Sequence, residues 1–94
     1  LFPYTTLFRS IEEAGKKPGK DIFVVAVDGI KEYFQFMVDG KANATVECNP
    51  LLGPQLLDTA KLILAGKPID RWVKSKEGVF TAAQATAELP NRKY

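Results

Sequence analysis

The stretch that most constrains the fold is Asp21 to Gly40, DIFVVAVDGIKEYFQFMVDG. Ile22 to Val27 is apolar without interruption, and the turn Asp28-Gly29 follows directly. From Ile30 the apolar residues take helical spacing: Ile30, Tyr33, Phe34, Met37 and Val38 fall on one stripe. An unbroken apolar strand calls for cover on both faces, as in a parallel sheet flanked by helices. Phe36 lies off the stripe and requires a contact of its own. Asp39-Gly40 closes the helix. Ala44 to Cys48 then reads as a second strand, with Ala44, Val46 and Cys48 on one face and Thr45 and Glu47 on the other. Strand, helix and strand in so short a span form a right-handed crossover, which makes the fold class α/β with a parallel sheet. In such sheets ligands collect at the carboxyl ends of strands. Asp28 stands at one such end, and Glu47, Cys48 and Asn49 stand at the other.

The flanking sequence supplies further elements. Ile11 to Ala14 reads as the last turn of a helix, with Gly15 placed for a left-handed cap. Pro18-Gly19 turns the chain into the first strand. Beyond the second strand, Pro54 suits a first helical turn, and Leu56, Leu57, Ala60, Ile63 and Leu64 supply an apolar stripe. Gly66-Lys67-Pro68 ends that helix. Ile69 to Val79 is weakly strand-like, with Trp72 and Val73 as its expected buried members. Thr81 and Gln84 form a capping box for a short Ala-rich helix reaching Leu89, which Pro90 ends. The final NRKY is expected to be a polar tail. Two or three strands cannot bury their own faces, so the chain is expected to be part of a sheet.

The first ten residues, LFPYTTLFRS, match codon for codon the translation of a common short-read sequencing adapter. Residues 1–10 are therefore expected to be an artefact and not native, the alternative being a natural apolar segment. The chain begins with Leu1, so the reading frame is expected to open within a gene. Without Arg9, Lys+Arg falls from 13 to 12 against 11 acidic residues, and the net charge falls from +2 to +1. No basic face stands out, which argues against nucleic acid as a partner. No run approaches the roughly 20 apolar residues that span a bilayer, so membrane insertion is not expected. The lone Cys48 cannot form an internal disulfide.

The chemistry available is narrow. The chain has no histidine, which removes the usual Ser-His-Asp and Cys-His nucleophile arrangements and the commonest zinc ligand. Neither common phosphate-cradling glycine motif occurs. No catalytic residue, metal or cofactor is expected. Asp28 and Glu47 could act as an acid–base pair on a glycosidic bond, or could accept hydrogen bonds from sugar hydroxyls without any reaction. Asp28 could also simply cap the helix beginning at Ile30. Glu47 could be solvated on a polar strand face, Cys48 could be a small core residue, and Trp72 could stack on a sugar or pack. Asn43-Ala44-Thr45 matches a glycosylation sequon too short to outweigh chance.

Three segments, in this order and spacing, carry a family resemblance: PGKDIFVVAVDG, IKEYFQFMVDGKANATVECNP and LLGPQLLDTAKLILAGKPI. From about Ile11 to Thr81 the chain resembles the C-terminal region of sugar-binding proteins of bacterial ABC transporters. These are of the ribose- and galactofuranose-binding type, with the type I periplasmic-binding fold. The resemblance implies an incomplete fragment of a Rossmann-like, two-lobed protein that closes on its ligand by a hinge motion. Residues 11–48 would be part of the C-terminal lobe. Residues 49–68 would be a hinge crossover and a helix of the N-terminal lobe, and residues 69–94 a returning strand with a C-terminal helix and tail. It further implies a periplasmic, non-enzymatic protein that binds a monosaccharide, pentose or hexose, and delivers it to an ABC permease. Asp28 matches the family aspartate that hydrogen-bonds sugar hydroxyls. Cys48 stands where ribose-binding relatives often carry a sugar-contacting glutamine, and Val27 where they carry a stacking aromatic; Asn49 or Glu47 would compensate. The alternative is the effector-binding domain of a lactose-repressor-type transcription regulator, which shares the fold. The run EGVFTAAQATAELPNRKY looks more like the transporter branch.

Overall fold

In the computed structural model, which describes residues 3–94, the elements in chain order are α1 (Pro3–Glu13), β1 (Val25–Asp28), α2 (Lys31–Val38), β2 (Ala44–Glu47), α3 (Gly53–Leu64), β3 (Val79–Thr81) and α4 (Ala82–Glu88). A short 3-10 helix, Leu89–Asn91, follows. β1 and β2 pair in parallel, with Val25 opposite Ala44 and Asp28 opposite Glu47, so both strands end at the same edge. β3 pairs antiparallel with the far side of β2. The crossover expected from the apolar run is therefore present. The strand itself is shorter than that run, because only residues with a β2 partner form a ladder.

The core lies on one face of the sheet. Phe8 and Ile11 of α1, Val24, Tyr33, Phe34 and Met37 of α2, Ala42 and Ala85 of α4 form one buried cluster. The helical stripe delivers Tyr33, Phe34 and Met37 as read from its spacing, and Phe36 finds its separate contact edge-on to Phe8, with centroids 4.7 Å apart. α1 runs back from Ile11 through the adapter-like residues to Pro3, because Tyr4, Phe8 and Ile11 fall on one helical face. Gly15 takes φ +74 at its end. The Thr81–Gln84 capping box at the start of α4 is formed.

Three expectations are corrected, and the buried face of β2, which the sequence left open, is fixed. The opposite face of the sheet is bare, not covered: Val25 and Val27 are 60% and 59% exposed, and Val46 and Val79 are exposed beside them. On β2 the alternation holds but the buried face is the polar one, with Thr45 fully buried and Val46 out. A β-branched threonine fits a pleated core much as valine does, so pattern alone could not choose the face. Residues 69–78 form no strand, and Trp72 is 75% exposed, with the Lys74 ammonium 4.5 Å above its ring. Finally, the tail is not a loose polar end, since Arg92 and Tyr94 are both partly buried against the sheet.

α3 keeps its predicted apolar stripe, yet none of its residues is buried. The chain measures 61 × 24 × 20 Å, with a radius of gyration of 17.6 Å against about 12 Å for a compact domain of this length. Its accessible surface of 6888 Å² compares with about 5,400 Å² for a compact monomer of its mass. An α3 stripe and a sheet face, both apolar and both uncovered, account for the difference.

Two buried hydroxyls give a contrast that can be measured. Tyr33 donates to the Val24 carbonyl at 3.1 Å, whereas the Thr45 hydroxyl has no partner among the described residues. Thr45→Val should leave stability unchanged or raise it by about 1 kcal/mol, while Tyr33→Phe should cost about 1 kcal/mol. Urea unfolding of the two variants checks the sign of each.

Candidate functional site

Parallel pairing brings the carboxyl ends of β1 and β2 side by side, and the turns leaving them make the site. After Asp28 the chain must reverse at once into α2. Asp28 itself has φ 111, a region that non-glycine residues rarely occupy, and it is the one non-glycine residue with positive φ among those described. Strain of this kind costs on the order of 1–3 kcal/mol and persists only where the surroundings impose it. Gly29 continues the turn at φ +69, buried so closely that an added Cβ would stand 3.2 Å from the Glu47 Cα. Only glycine meets both demands.

Asp28 does not cap the helix. The N-cap of α2 is Ile30, and no side chain caps that end. The Asp28 residue is exposed, and its carboxylate has no hydrogen-bond partner among the described residues. Its main-chain carbonyl accepts from the Cys48 N–H at 3.1 Å, so the two predicted residues are neighbours. Cys48 is exposed, which corrects its reading as a small core residue. Tyr4 packs edge-on to Tyr33, with centroids 5.0 Å apart, and donates to the Val27 carbonyl at 3.2 Å. Burial first, and then the charges of Asp28 and Glu32, raise the Tyr4 hydroxyl above its ordinary value. Burial, followed by the neighbouring Tyr4, pushes Tyr33 up to about 12.

Asn49 is spent on local structure. Its side-chain oxygen accepts from the Leu51 N–H at 2.8 Å, and its own N–H donates to the Glu77 carboxylate at 3.0 Å. It also lines a groove of about 580 Å³ with Pro54, Gln55 and Thr59 of α3 and with Lys74 and Ser75. Neither Asp28 nor Cys48 borders that groove, so the three predicted residues share an edge of the sheet but not a single pocket.

Glu47 is the largest departure from the sequence reading, in which a solvated place on a polar strand face was one of the alternatives. Its side chain is only 11% exposed, and that of Arg92, paired with it at 2.7 Å, only 8%. The same Glu47 oxygen accepts from the Tyr94 hydroxyl at 2.5 Å, and its second oxygen accepts from the Gly78 N–H at 3.1 Å. Burial alone would push the Glu47 carboxyl up. The hydrogen bonds from Tyr94 and Arg92, the Arg92 charge and the Gly78 N–H outweigh it and hold the carboxyl below its ordinary value. Tyr94 moves the other way, raised by burial and by its bond to Glu47. A carboxylate held ionised by three donors is unsuited to the general-acid half of a glycosidase pair. Among the described residues no group of three potential ligands is placed to hold a metal ion.

Comparison with known proteins gives a consistent result. The chain is 35% identical over 86 residues to the galactofuranose-binding protein YtfQ of Escherichia coli, a match that takes in 90% of the chain and 27% of that protein. It superposes with a TM-score of 0.80 and 53% identity on a Mycobacterium smegmatis crystal structure in complex with β-D-fucofuranose, over 93% of the chain and 29% of that structure. It also superposes, with a TM-score of 0.78 and 45% identity, on the periplasmic binding protein component of the arabinose ABC transporter from Shewanella sp. ANA-3, bound to α- and β-L-arabinofuranose. That match takes in 92% of the chain and 29% of the structure. No protein-family model matches the chain. By sequence and by fold together, the chain is a relative of the sugar-binding proteins of ABC transporters, and its mixed sheet is a piece of the periplasmic-binding fold. The chain spans about a quarter of the length of the curated relatives it matches.

The Glu47 cluster makes a prediction about pH. A carboxyl whose folded pKa lies below its unfolded value stabilises the fold fully above that unfolded value, about 4.3, and loses the contribution as pH falls through the folded one. Glu47→Gln should therefore cost about 1–3 kcal/mol at pH 7. The gap between variant and parent should close as the pH is lowered from about 5 towards 2. Chemical unfolding across that range measures it, and a gap independent of pH would contradict the ionised state assigned to Glu47.

Proposed function

We propose that the chain is the C-terminal part of a sugar-binding component of an ABC importer, and that Asp28 accepts hydrogen bonds from the hydroxyls of a monosaccharide. The observation that carries this is the state of Asp28. It is an exposed carboxylate without a hydrogen-bond partner among the described residues, held at positive φ where the strand ends. An ionised carboxylate is an acceptor-only group suited to adjacent sugar hydroxyls. The sugars named for the similar proteins are furanoses in two solved structures, which favours a pentose or hexose bound in that ring form.

In this reading residues 11–48 belong to the C-terminal lobe, residues 49–68 cross a hinge and place α3 on the N-terminal lobe, and residues 69–94 return. The unburied stripe of α3 and the elongated shape support that assignment. Residues 1–10 are read as foreign sequence standing in for the first turns of the native helix. Cys48 and Asn49 are the second rank of sugar-facing candidates, Cys48 through its exposure beside Asp28 and Asn49 through its place at the hinge. The chain carries out no reaction in this account. Capture is by closure of two lobes, followed by delivery to a permease from the periplasm. Its partner is thus a membrane protein, while none of the described helices is long and apolar enough to cross a membrane itself.

Calorimetric titration tests the proposal. The complete protein, expressed with its upstream sequence, should bind at least one of L-arabinose, D-galactose, D-fructose or D-fucose. Asp28→Ala should weaken that affinity by about 10- to 100-fold, the worth of one or two charged hydrogen bonds, with little change in melting temperature. A variant that binds as tightly as the parent but loses about 1 kcal/mol of stability would return Asp28 to a structural role. The 94-residue chain alone, with one wall of the cleft, should show no binding at millimolar sugar.

A further inference from the structure

The uncharged face of the Asp28 turn is held from a place far away in sequence. Arg92 donates through one nitrogen, Nη2, to both the Gly29 carbonyl and the Glu47 carboxylate, each at 2.7 Å. Gly29 is the residue immediately after Asp28. Two residues beyond Arg92, the Tyr94 main-chain oxygen accepts from the Lys31 N–H at 2.6 Å, satisfying a donor in the first turn of α2 that no helical carbonyl could reach. The Tyr94 hydroxyl bonds to the same Glu47 oxygen as Arg92. Arg92 and Tyr94 thus hold both ends of the turn that begins at Asp28, and tie it to the end of β2.

Stability alone is a poor reason for such an arrangement. The guanidinium lies against Phe34 at 4.7 Å, Tyr94 at 4.8 Å and Phe80 at 5.4 Å from their ring centres, so it is desolvated. Its Nε is buried without a hydrogen-bond partner among the described residues. A buried ion pair with an unmet donor is often no more stabilising than apolar residues of the same volume would be. What it does provide is direction, because the planar guanidinium fixes where the Gly29 carbonyl must lie. The strained φ of Asp28 needs surroundings that impose it, and the contacts of Arg92 and Tyr94 do so on the Gly29 side.

We infer that Arg92 and Tyr94 are positioning residues for the sugar site: they touch no sugar but set the orientation of the Asp28 carboxylate through Gly29, Lys31 and Glu47. The inference rests on the proposed role of Asp28. It applies to the C-terminal residues a function that local sequence, a polar NRKY, does not suggest. Arg92 acts on Gly29 directly, and Tyr94 acts on Lys31 and on the shared Glu47 oxygen.

Sugar titration and thermal melting of the complete protein, run together on five variants, test it. Arg92→Ala should weaken sugar binding by about tenfold or more, Arg92→Lys by less because the positive charge beside Glu47 is kept, and Tyr94→Phe by about two- to fivefold. Met37→Ala, in the core at the far end of α2, should lower the melting temperature without moving the affinity. Asp28→Ala marks the loss expected when the carboxylate itself is gone. If Arg92→Ala keeps the parent affinity while Asp28→Ala loses it, the positioning role is overturned and the sugar site stands. The role is also overturned if Met37→Ala, at a matched loss of melting temperature, weakens binding as much as Arg92→Ala. If Asp28→Ala itself binds like the parent, the sugar site fails and the inference fails with it. Should Arg92→Ala not fold, Arg92→Lys and Tyr94→Phe give the same reading, and parent-like affinity in both overturns the proposal.

Discussion

The interaction on which the rest of the structure depends is the Glu47 carboxylate and the three donors that converge on it. Arg92, Tyr94 and the Gly78 N–H reach it from the tail and from the segment before β3. Through them the end of β2 is joined to the turn after β1, to the strand that pairs on its other side, and to the last residues of the chain. The cluster has no apolar substitute that would do the same work, because each donor also fixes a piece of backbone. Burial works against the charge, and enough donors converge to keep it. The fold at the carboxyl edge of the parallel strands is therefore set by polar contacts, while the apolar core beneath it sets which face the helices cover.

That division explains what could be read in the sequence. The strand–turn–helix–strand order was legible because each element announces itself locally. An unbroken apolar run, a helical stripe at Tyr33, Phe34 and Met37, and glycines after Asp28 and Asp39 needed no distant partner. The Thr81–Gln84 box was equally local. The choice of face on β2 was not legible, since Thr45 and Val46 are both β-branched and either could be buried. The residues 69–78 have strand-like composition but no neighbour to pair with, and Trp72 stays in solvent.

The site was partly legible for the same reason. The place of Asp28 at a strand end was legible, its sugar-binding role being the proposal made above, and its positive φ is a consequence of the turn that glycine at 29 completes. Cys48 was placed beside it correctly but read as core, because a small apolar residue at a strand end gives no sign of exposure. Glu47 was misjudged as solvated, and its partners Arg92 and Tyr94 were missed, since a charge pair across 45 residues leaves no periodicity. The available signal was chemical: an acid on a strand flanked by core residues must find donors, and an Arg and a Tyr just past a helix-ending proline can supply them. The same long-range contacts distinguish this edge of the sheet from the bare face and from α3, where apolar residues are exposed.

The central claim is that Asp28 meets a sugar while Glu47 does not, because Glu47 is buried and held by Arg92, Tyr94 and the Gly78 N–H. The most direct measurement is a crystal structure of the complete protein grown with L-arabinose. The account predicts sugar hydroxyls within hydrogen-bond distance, about 2.5–3.0 Å, of the Asp28 carboxylate, with Glu47 still bonded to Arg92 and Tyr94. A sugar seated on Glu47 with Arg92 turned away, or bound elsewhere with Asp28 free in solvent, would contradict it.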